Sequence, residues 1–344
     1  MQTNKIEIDE NRIVARPVIG VLVIIIGLFA LALSTILAIS VGAADIDFAT
    51  VWKSIFDYQP EVKADQIIVG IRLPREIGVI LVGAALAVSG AIMQGITKNP
   101  LAEPGILGIN AGAGFAVACL LVFQAHASYL SIMFVSFVGA AIGTVMVFGI
   151  GAWRRGGMSP IRIILAGSAV QLFLTALTDG ISLLFKLTQD LSIWKIGSTS
   201  GTNWLQLKIA IPVVLFGLLI AILFSKKLTI LSFGDDIAKG LGQRTTLVKF
   251  ILMVVVLILS GISVSLVGVL AFVGLMVPHM VRFMVGTDYR WVIPCSAVFG
   301  SVLLVLSDTA ARMINAPFET PIGAVVAIVG IPFFIYLARR EGKR

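Results

Sequence analysis

The stretch PVIGVLVIIIGLFALALSTILAISV, residues 17–41, decides the fold class of this chain, because it runs for 25 residues without a charged side chain. A bilayer core about 30 Å thick is crossed by roughly 20 apolar residues in a helix. The run is also longer than the apolar region of about 7–15 residues in a cleaved signal peptide. We therefore interpret residues 17–41 as an uncleaved membrane span that follows a cytoplasmic head at residues 1–16.

Composition extends this interpretation to the rest of the chain. Hydrophobic residues make up 58% of the 344 and charged residues only 13%, whereas a soluble domain carries about 25% charged residues. This balance predicts an all-α membrane protein. Further apolar runs of spanning length bring the prediction to about ten transmembrane helices, at 17–41, 76–96, 105–124, 129–152, 163–185, 207–225, 246–266, 267–285, 291–311 and 321–338.

The lysines and arginines orient these spans in the lipid bilayer. Of the 26, 18 lie in the head, the tail and the loops on the N-terminal side, and 8 lie on the other side. Because cytoplasmic loops carry the excess of basic residues, both termini are predicted to be cytoplasmic. Topology thereby explains the net charge of +8, and no nucleic-acid partner is expected.

Small residues recur at spacings that allow helices to pack closely. We expect one compact bundle, a single transmembrane domain over residues 1–344 that ends in a cytoplasmic tail at 339–344. The residues concerned are the pairs Gly108 and Gly112, and Gly139 and Gly143, and the set Gly83, Ala87, Gly90 and Ala91.

The sequence lacks the groups that catalysis or metal binding would require. Cys119 and Cys295 stand alone in apolar runs, and His126 and His279 are equally isolated, so no metal site is predicted. No G-x-x-x-x-G-K-[ST] segment occurs, so the chain has no P-loop for ATP. A membrane enzyme is therefore disfavoured, and we predict neither a catalytic residue nor a cofactor bound by this chain.

Residues 72–76, RLPRE, begin the second span on the outer side. Pro74 suits the first turn of a helix, and the residue before it, Leu73, is expected to be extended. Arg72 and Arg75 oppose the dipole at this helix end. Two interpretations stay open: the arginines meet an anionic partner outside the membrane, or they snorkel to the interface.

The segment LSFGDDIAKGLGQR, residues 231–244, separates two apolar runs on the cytoplasmic side. It has the pattern of a two-turn helix, with acids in the first turn, an apolar pair four residues apart, and glycines at the end. Such a helix presents an apolar ridge that favours docking to a soluble partner; a solvated loop helix is the alternative. The residues concerned are the candidate caps Ser232 and Gly234, then Asp235, Asp236, Ile237, Ala238, Gly240, Leu241 and Gly242.

With these stretches in view, the chain resembles the FecCD-like permeases, the membrane subunits of ABC importers for iron siderophores, haem and cobalamin. The matching stretches run in order across most of the length. They are RLPRE at 72–76, NPLAEPGILGINAGA at 99–113, LSFGDDIAKGLG at 231–242, FVGLMVPHMVR at 272–282, Asp308 with Arg312, and ETPIGA at 319–324.

The resemblance implies a multi-pass permease of a prokaryotic cytoplasmic membrane that pairs with a second permease, identical or paralogous. Two cytoplasmic ATPase subunits, which hold ATP and Mg²⁺, and an extracytoplasmic substrate-binding protein complete the implied complex. Residues 234–242 match the segment that couples the family's permeases to the ATPase. Arg72, Arg75 and Arg312 match outward-facing arginines that pair with acidic residues of the binding protein.

The function implied is import of an iron–siderophore complex by alternating access, with cobalamin or haem as the alternative cargo. A stand-alone secondary carrier or channel belongs to a different class, which the scarcity of buried ionisable residues disfavours. Polar residues within the spans are the candidates for lining the pathway, and hydrogen bonding between helices is an equal alternative for each. They are Gln94, Asn110, Gln171 and Asp179, the last being the deepest charged residue.

Overall fold

The computed structural model describes residues 15–41, 47–152, 160–316 and 318–341. Within those ranges every regular element is a helix, and one isolated bridge joins Ala15 to Gly286. The all-α prediction is therefore confirmed. Residues 1–14 of the predicted head, residues 342–344 of the predicted tail, and Arg154 and Arg155 of the basic count lie outside the described residues.

The helices follow one another through the whole described chain. They are α1 (Pro17–Ser40), α2 (Phe48–Phe56), α3 (Lys63–Ile67), α4 (Leu73–Thr97), α5 (Ile109–Phe123), α6 (Tyr129–Ala152), α7 (Pro160–Leu184), α8 (Thr188–Ile196), α9 (Trp204–Ser232), α10 (Asp235–Gly240), α11 (Thr245–Val267), α12 (Val273–Val285), α13 (Tyr289–Ile314) and α14 (Ile322–Glu341).

Ten of these helices correspond to the ten predicted spans. Seven described helices are long and apolar enough to cross a membrane, and α5, α12 and α14 are shorter apolar helices. At 1.5 Å per residue α5 and α12 are only about 20 Å long, because a 3-10 turn, Pro104–Leu107, precedes α5 and an irregular loop precedes α12. Gly108 before α5 and Phe272 before α12 have positive φ angles of 75° and 69°. Both helices consequently begin later than predicted.

The start of α4 differs from the expectation for a residue before proline. Leu73 has φ −62° and ψ −47°, so it is helical and not extended. A π turn over Ile68–Arg72 precedes it and joins α3 to α4 without a break. A π turn bonds each residue to the fifth one along and widens the backbone locally. This local widening lets the helix run on through Pro74.

The centre of the bundle is α4. Its apolar window is 89% buried inside the chain, against 28% for α1 and for α9. Small residues make this possible: a Cβ added to Gly83 would lie 2.4 Å from the carbonyl oxygen of Gly300, and one added to Gly90 only 1.8 Å from that of Gly274. The prediction that these glycines let helices approach closely is confirmed.

Contacts mark two opposite ends of the bundle. At one end the Arg16 N–H donates to the Val285 carbonyl, and Lys98 Nζ lies 3.9 Å from Asp235 Oδ1. At the other end Arg312 Nη1 donates to the carbonyls of Ala38, in the last turn of α1, and Val41, which follows α1. Ten crossings, an even number, return the chain to the end where α1 begins. The first end is the one that the basic residues assign to the cytoplasm, and we call the second the outer end.

Candidate functional site

At the cytoplasmic end α10 lies between α9 and α11 as a helix of six residues. Gly234 is its cap: it has φ +134°, and its carbonyl accepts the N–H of Ala238 at 3.0 Å. Ser232, the other predicted cap, belongs to α9 and donates its hydroxyl to the Thr229 carbonyl. The predicted coupling segment 231–242 therefore begins inside α9, which runs past its predicted end at 225.

The apolar ridge predicted on this segment is exposed. Ile237 is 54% and Leu241 67% exposed, whereas Ala238 is fully buried against the rest of the chain. Ala238 thus holds α10 in place and is not part of the ridge. Gly240 borders open space, with no atom within 4 Å of an added Cβ, and Gly242 leaves the helix with φ +77°.

Asp235 fixes the first turn of α10 to its neighbours. Its carboxylate lies 2.5 Å from Lys249 Nζ on α11 and 3.9 Å from Lys98 Nζ after α4. Burial opposes ionisation of Asp235, but the hydrogen bond from Lys249 and the nearby lysines outweigh it and lower the pKa of the carboxyl below its usual value. Asp236 has no such role, since its side chain is exposed. The predicted coupling residues therefore fall into two groups. Asp235 and Ala238 attach α10 to the rest of the chain, and Ile237 and Leu241 are exposed.

At the outer end two predicted docking arginines meet around one buried carboxylate. Arg75 Nε lies 3.1 Å from Asp308 Oδ2, and Arg75 Nη2 lies 3.0 Å from Oδ1. Arg312 Nε is 3.0 Å from Asp308 Oδ2, and its Nη2 is 2.5 Å from Glu76 Oε1. Asp308 and Glu76 have no exposed surface. Charge-assisted hydrogen bonds with such geometry offset part of the cost of burying these ions.

The third docking candidate, Arg72, donates from Nη1 to the carbonyls of Ile39 and Ser40 at the end of α1. The side chains of Arg75 and Arg312 are only 9% and 8% exposed. The structure therefore brings all three arginines together at the outer end and gives each of them partners within the chain. It assigns them a structural role, which is to join α1, α4 and α13, and docking to a binding protein stays a prediction.

Two of the four candidate pathway residues lie inside the bundle. Gln94 is 3% exposed; its amide nitrogen donates to the carbonyls of Gly274 and Leu275, and its oxygen accepts from Arg282 Nη2 at 2.6 Å. It ties α4 to α12 through the interhelical hydrogen bonding that was the alternative for each candidate, and a place along the pathway stays a prediction for Gln94. Asn110 is half-buried, and a Cβ added to Gly105 would lie 3.0 Å from its amide nitrogen.

The other two pathway candidates, Gln171 and Asp179, lie on the exposed side of α7. Ser168 and Thr175 share their helix face, because residues three and four apart are neighbours on a helix. We call Ser168, Gln171, Thr175 and Asp179 the α7 polar stripe. Asp179 also lies 3.0 Å from Lys195 Nζ of α8. Such polar groups are unfavourable next to lipid, so the stripe is suited to a partner chain or to water.

The scarcity of buried ionisable groups expected from the sequence does not hold, since buried or half-buried carboxylates that were not predicted as site residues include Glu76, Glu103 and Asp308. Glu76 and Asp308 belong to the outer arginine cluster, and Glu103 accepts the N–H of Phe272 at 3.1 Å where α12 begins. A signal existed for two of them. Asp308 and Arg312 are four residues apart and so share a helix face, and Glu76 stands in the first turn beside the arginines of RLPRE. Glu103 had no local signal beyond its flanking Pro104.

In the ranges that the structure covers, no group of three or more His, Cys, Asp or Glu residues is arranged to hold a metal ion. Cys119 and Cys295 are free thiols.

Comparison with known proteins identifies relatives along nearly the whole chain. A profile described as the FecCD transport family matches residues 30–340. The Iron(3+)-hydroxamate import system permease protein FhuB of Bacillus subtilis (strain 168) is 50% identical over 94% of this chain and 84% of that protein. The Iron-uptake system permease protein FeuB of the same organism is 44% identical over 93% of this chain and 96% of its own length. The Hemin transport system permease protein HmuU of Yersinia pestis is 34% identical over 97% of this chain and 98% of its own length.

Solved structures agree on the fold. A structure described as an inward-facing, metal-chelate type ABC transporter superposes with a TM-score of 0.81, covering 92% of this chain and 98% of that one at 24% identity. PsaBC from Streptococcus pneumoniae in complex with Fab gives a TM-score of 0.56, covering 77% of this chain and 90% of that one at 19% identity. At such identities the likeness concerns the arrangement of helices.

Proposed function

Because this chain belongs to the FecCD transport family, we propose that it is the permease subunit of an ATP-driven importer that carries ferric hydroxamate siderophores into a prokaryotic cell. The observation that carries the cargo is the 50% identity to an iron(3+)-hydroxamate permease over 94% of the chain. The haemin permease is more distant, at 34%. The plasma membrane is the proposed location, in keeping with ten apolar helices and bacterial relatives.

The energy for transport comes from ATP and Mg²⁺ bound by a partner ATPase, since this sequence has no P-loop. We place the ATPase contact at α10. Its exposed Ile237 and Leu241 form an apolar ridge beyond the bundle, and an ionic anchor at Asp235 holds the helix to α11. Closure of two ATPase subunits against two such helices can then move α9 and α11, between which α10 is held.

A second permease, identical or paralogous, covers the α7 polar stripe. The chain leaves Gln171 and Asp179 exposed, and only 33% of the apolar window of α7 is buried. Pairing two copies along α7 would place both stripes around a shared, hydrated pathway wide enough for a siderophore. This arrangement supports alternating access between the two bundles.

A substrate-binding protein docks at the outer end. The guanidinium groups of Arg72, Arg75 and Arg312 lie there, and cations at an interface favour a partner with acidic residues. Carboxylates of the same chain already pair with Arg75 and Arg312. A docking carboxylate must therefore either bind beside these ion pairs or replace one of the carboxylates in them.

Uptake of labelled ligands tests the proposed function. Cells that lack this chain are compared with cells carrying the restored gene, using iron bound to hydroxamate or catecholate siderophores, haem, and cobalamin. We expect a specific loss of ferric hydroxamate uptake that the gene restores. Loss of haem or cobalamin uptake instead would overturn the cargo and keep the transporter. No loss for any ligand in cells without a second hydroxamate system would overturn the proposal.

A further inference from the structure

Glu319 is the exposed member of the outer arginine cluster. It lies in the segment 315–321 between α13 and α14, and its Oε1 is 2.5 Å from Arg75 Nη1. Its side chain is 44% exposed, whereas that of Arg75 is 9% exposed and that of Asp308 is fully buried. Arg75 is thus held by a buried carboxylate on one side and by a solvent-facing carboxylate on the other.

The two carboxylates have unequal importance for the fold. Arg75 and Arg312 are already balanced by Asp308 and Glu76, neither of which is exposed. Removing Asp308 would leave charge buried without its counter-ion. Exchanging Glu319 for another carboxylate at Arg75 Nη1 would leave no buried charge unpaired, because the released Glu319 faces water. The contact also lies at the surface, where ion pairs contribute little.

We infer that Glu319 occupies the position of a partner's carboxylate, and that an acidic residue of the docking binding protein displaces it from Arg75. This inference rests on the proposed function, because it explains how a mostly buried arginine can still serve as a docking residue. Glu319 then acts as an internal competitor, and docking becomes an exchange of one carboxylate for another.

Displacement of Glu319 has a consequence for α14. Residues 318–320 are otherwise held by backbone bonds, from the Phe318 N–H to the Asn315 carbonyl at 2.8 Å and from the Thr320 N–H to the Ala311 carbonyl at 3.2 Å. Just beyond it, Gly323 packs so closely on α8 that an added Cβ would lie 2.4 Å from the Ile196 carbonyl oxygen. Releasing Glu319 loosens the entry to α14 at its contact with α8. Docking of the binding protein therefore changes the contact between α14 and α8 at the outer end.

Binding measurements on the complete transporter in lipid nanodiscs test the exchange. The probe is the ferric-hydroxamate-loaded binding protein that supports uptake with this permease. Glu319→Gln keeps the shape of the side chain and removes its charge, so we expect the binding protein to bind about 2- to 5-fold more tightly, the range of an exposed ion pair. Glu319→Asp should restore an affinity close to that of the unaltered protein.

The control is Glu61→Gln, which removes an exposed carboxylate in the loop between α2 and α3 and measures the general effect of charge. Equal affinity for Glu319→Gln and Glu61→Gln, or weaker binding by Glu319→Gln, would overturn the inference. Hydrogen exchange gives a second readout: the backbone amides of Phe318, Glu319 and Thr320 should exchange faster when the binding protein docks, and unchanged or slower exchange would contradict release. If no binding protein supports uptake, the proposed function itself fails.

Discussion

Asp308 is the residue on which the outer end depends. It accepts hydrogen bonds from Arg75 on α4 and Thr199 before α9, and it pairs with Arg312 on its own helix. A carboxylate without exposed surface would be unfavourable alone, and two guanidinium groups compensate it. One side chain thereby fixes the relative position of α4, α13 and the loop before α9.

We expect Asp308→Asn to destabilise the protein by about 3–5 kcal/mol, the usual effect of breaking a buried ion pair from one side. The amide keeps the shape of the side chain but leaves Arg75 and Arg312 without their shared counter-ion. Thermal unfolding of the purified protein in detergent, followed by tryptophan fluorescence, measures the change. Asp57→Asn is the matched control at an exposed position, where the expected change is within about 0.5 kcal/mol. Equal unfolding midpoints for the two variants would contradict the assigned role.

At the scale of single elements, one side of α10 packs on the rest of the chain and the other side is exposed. Asp235 and the buried Ala238 attach it, and Ile237 and Leu241 face away from the chain. A helix of six residues is too short to be stable in isolation. Its stability therefore comes from these attachments, and force applied to the exposed ridge passes to α9 and α11.

Gly240→Leu tests whether α10 contacts the ATPase. The position borders open space, so the isolated permease should insert and fold normally. A partner cleft fitted to α10 would be overpacked by roughly 1–3 kcal/mol, and we expect ATP hydrolysis stimulated by the loaded binding protein to fall about tenfold or more.

Gly149→Leu provides the matched control for that substitution, because Gly149 on α6 also has no atom within 4 Å of an added Cβ. Its ATPase activity should stay unchanged. Normal stimulation in the Gly240→Leu protein would remove α10 from the coupling pathway.

The elements could be predicted from the sequence where the signal is local. The ten spans follow from the length of the apolar runs, and α10 follows from its acids, its apolar pair and Gly234. Two features could not be predicted from the sequence. The helical conformation of Leu73 depends on a preceding π turn, and the pairing of Arg75 with Asp308 joins residues 233 positions apart. Exposure of an arginine is decided by such distant partners, so the sequence alone suggested free docking cations.

At the scale of the whole molecule, the chain is incomplete along α7. The α7 polar stripe crosses an otherwise apolar surface, and Gln171 and Asp179 remain exposed. Lipid offers no hydrogen-bond partners to such groups, and this is why we propose that a second permease and a hydrated pathway surround them. The single chain is thus one half of the transport unit that we propose.

Cysteine labelling in the assembled transporter tests this arrangement. In a background with Cys119→Ala and Cys295→Ala, we expect Gln171→Cys to react with a membrane-impermeant, water-soluble thiol reagent, because it faces water in the pathway. Phe134→Cys on α6 is the control; Phe134 is 69% exposed on an apolar surface that lipid covers, and it should stay unlabelled. Equal labelling of the two positions would contradict a pathway along α7.

Transport in proteoliposomes tests the central claim most directly. The permease is reconstituted with its ATPase and its binding protein, and uptake of radioactive ferric hydroxamate is measured with ATP and Mg²⁺, without ATP, and with an imposed proton or sodium gradient alone. We predict accumulation only when ATP, the ATPase and the binding protein are all present. Accumulation driven by an ion gradient in liposomes that contain this chain alone would contradict the account and identify a secondary carrier.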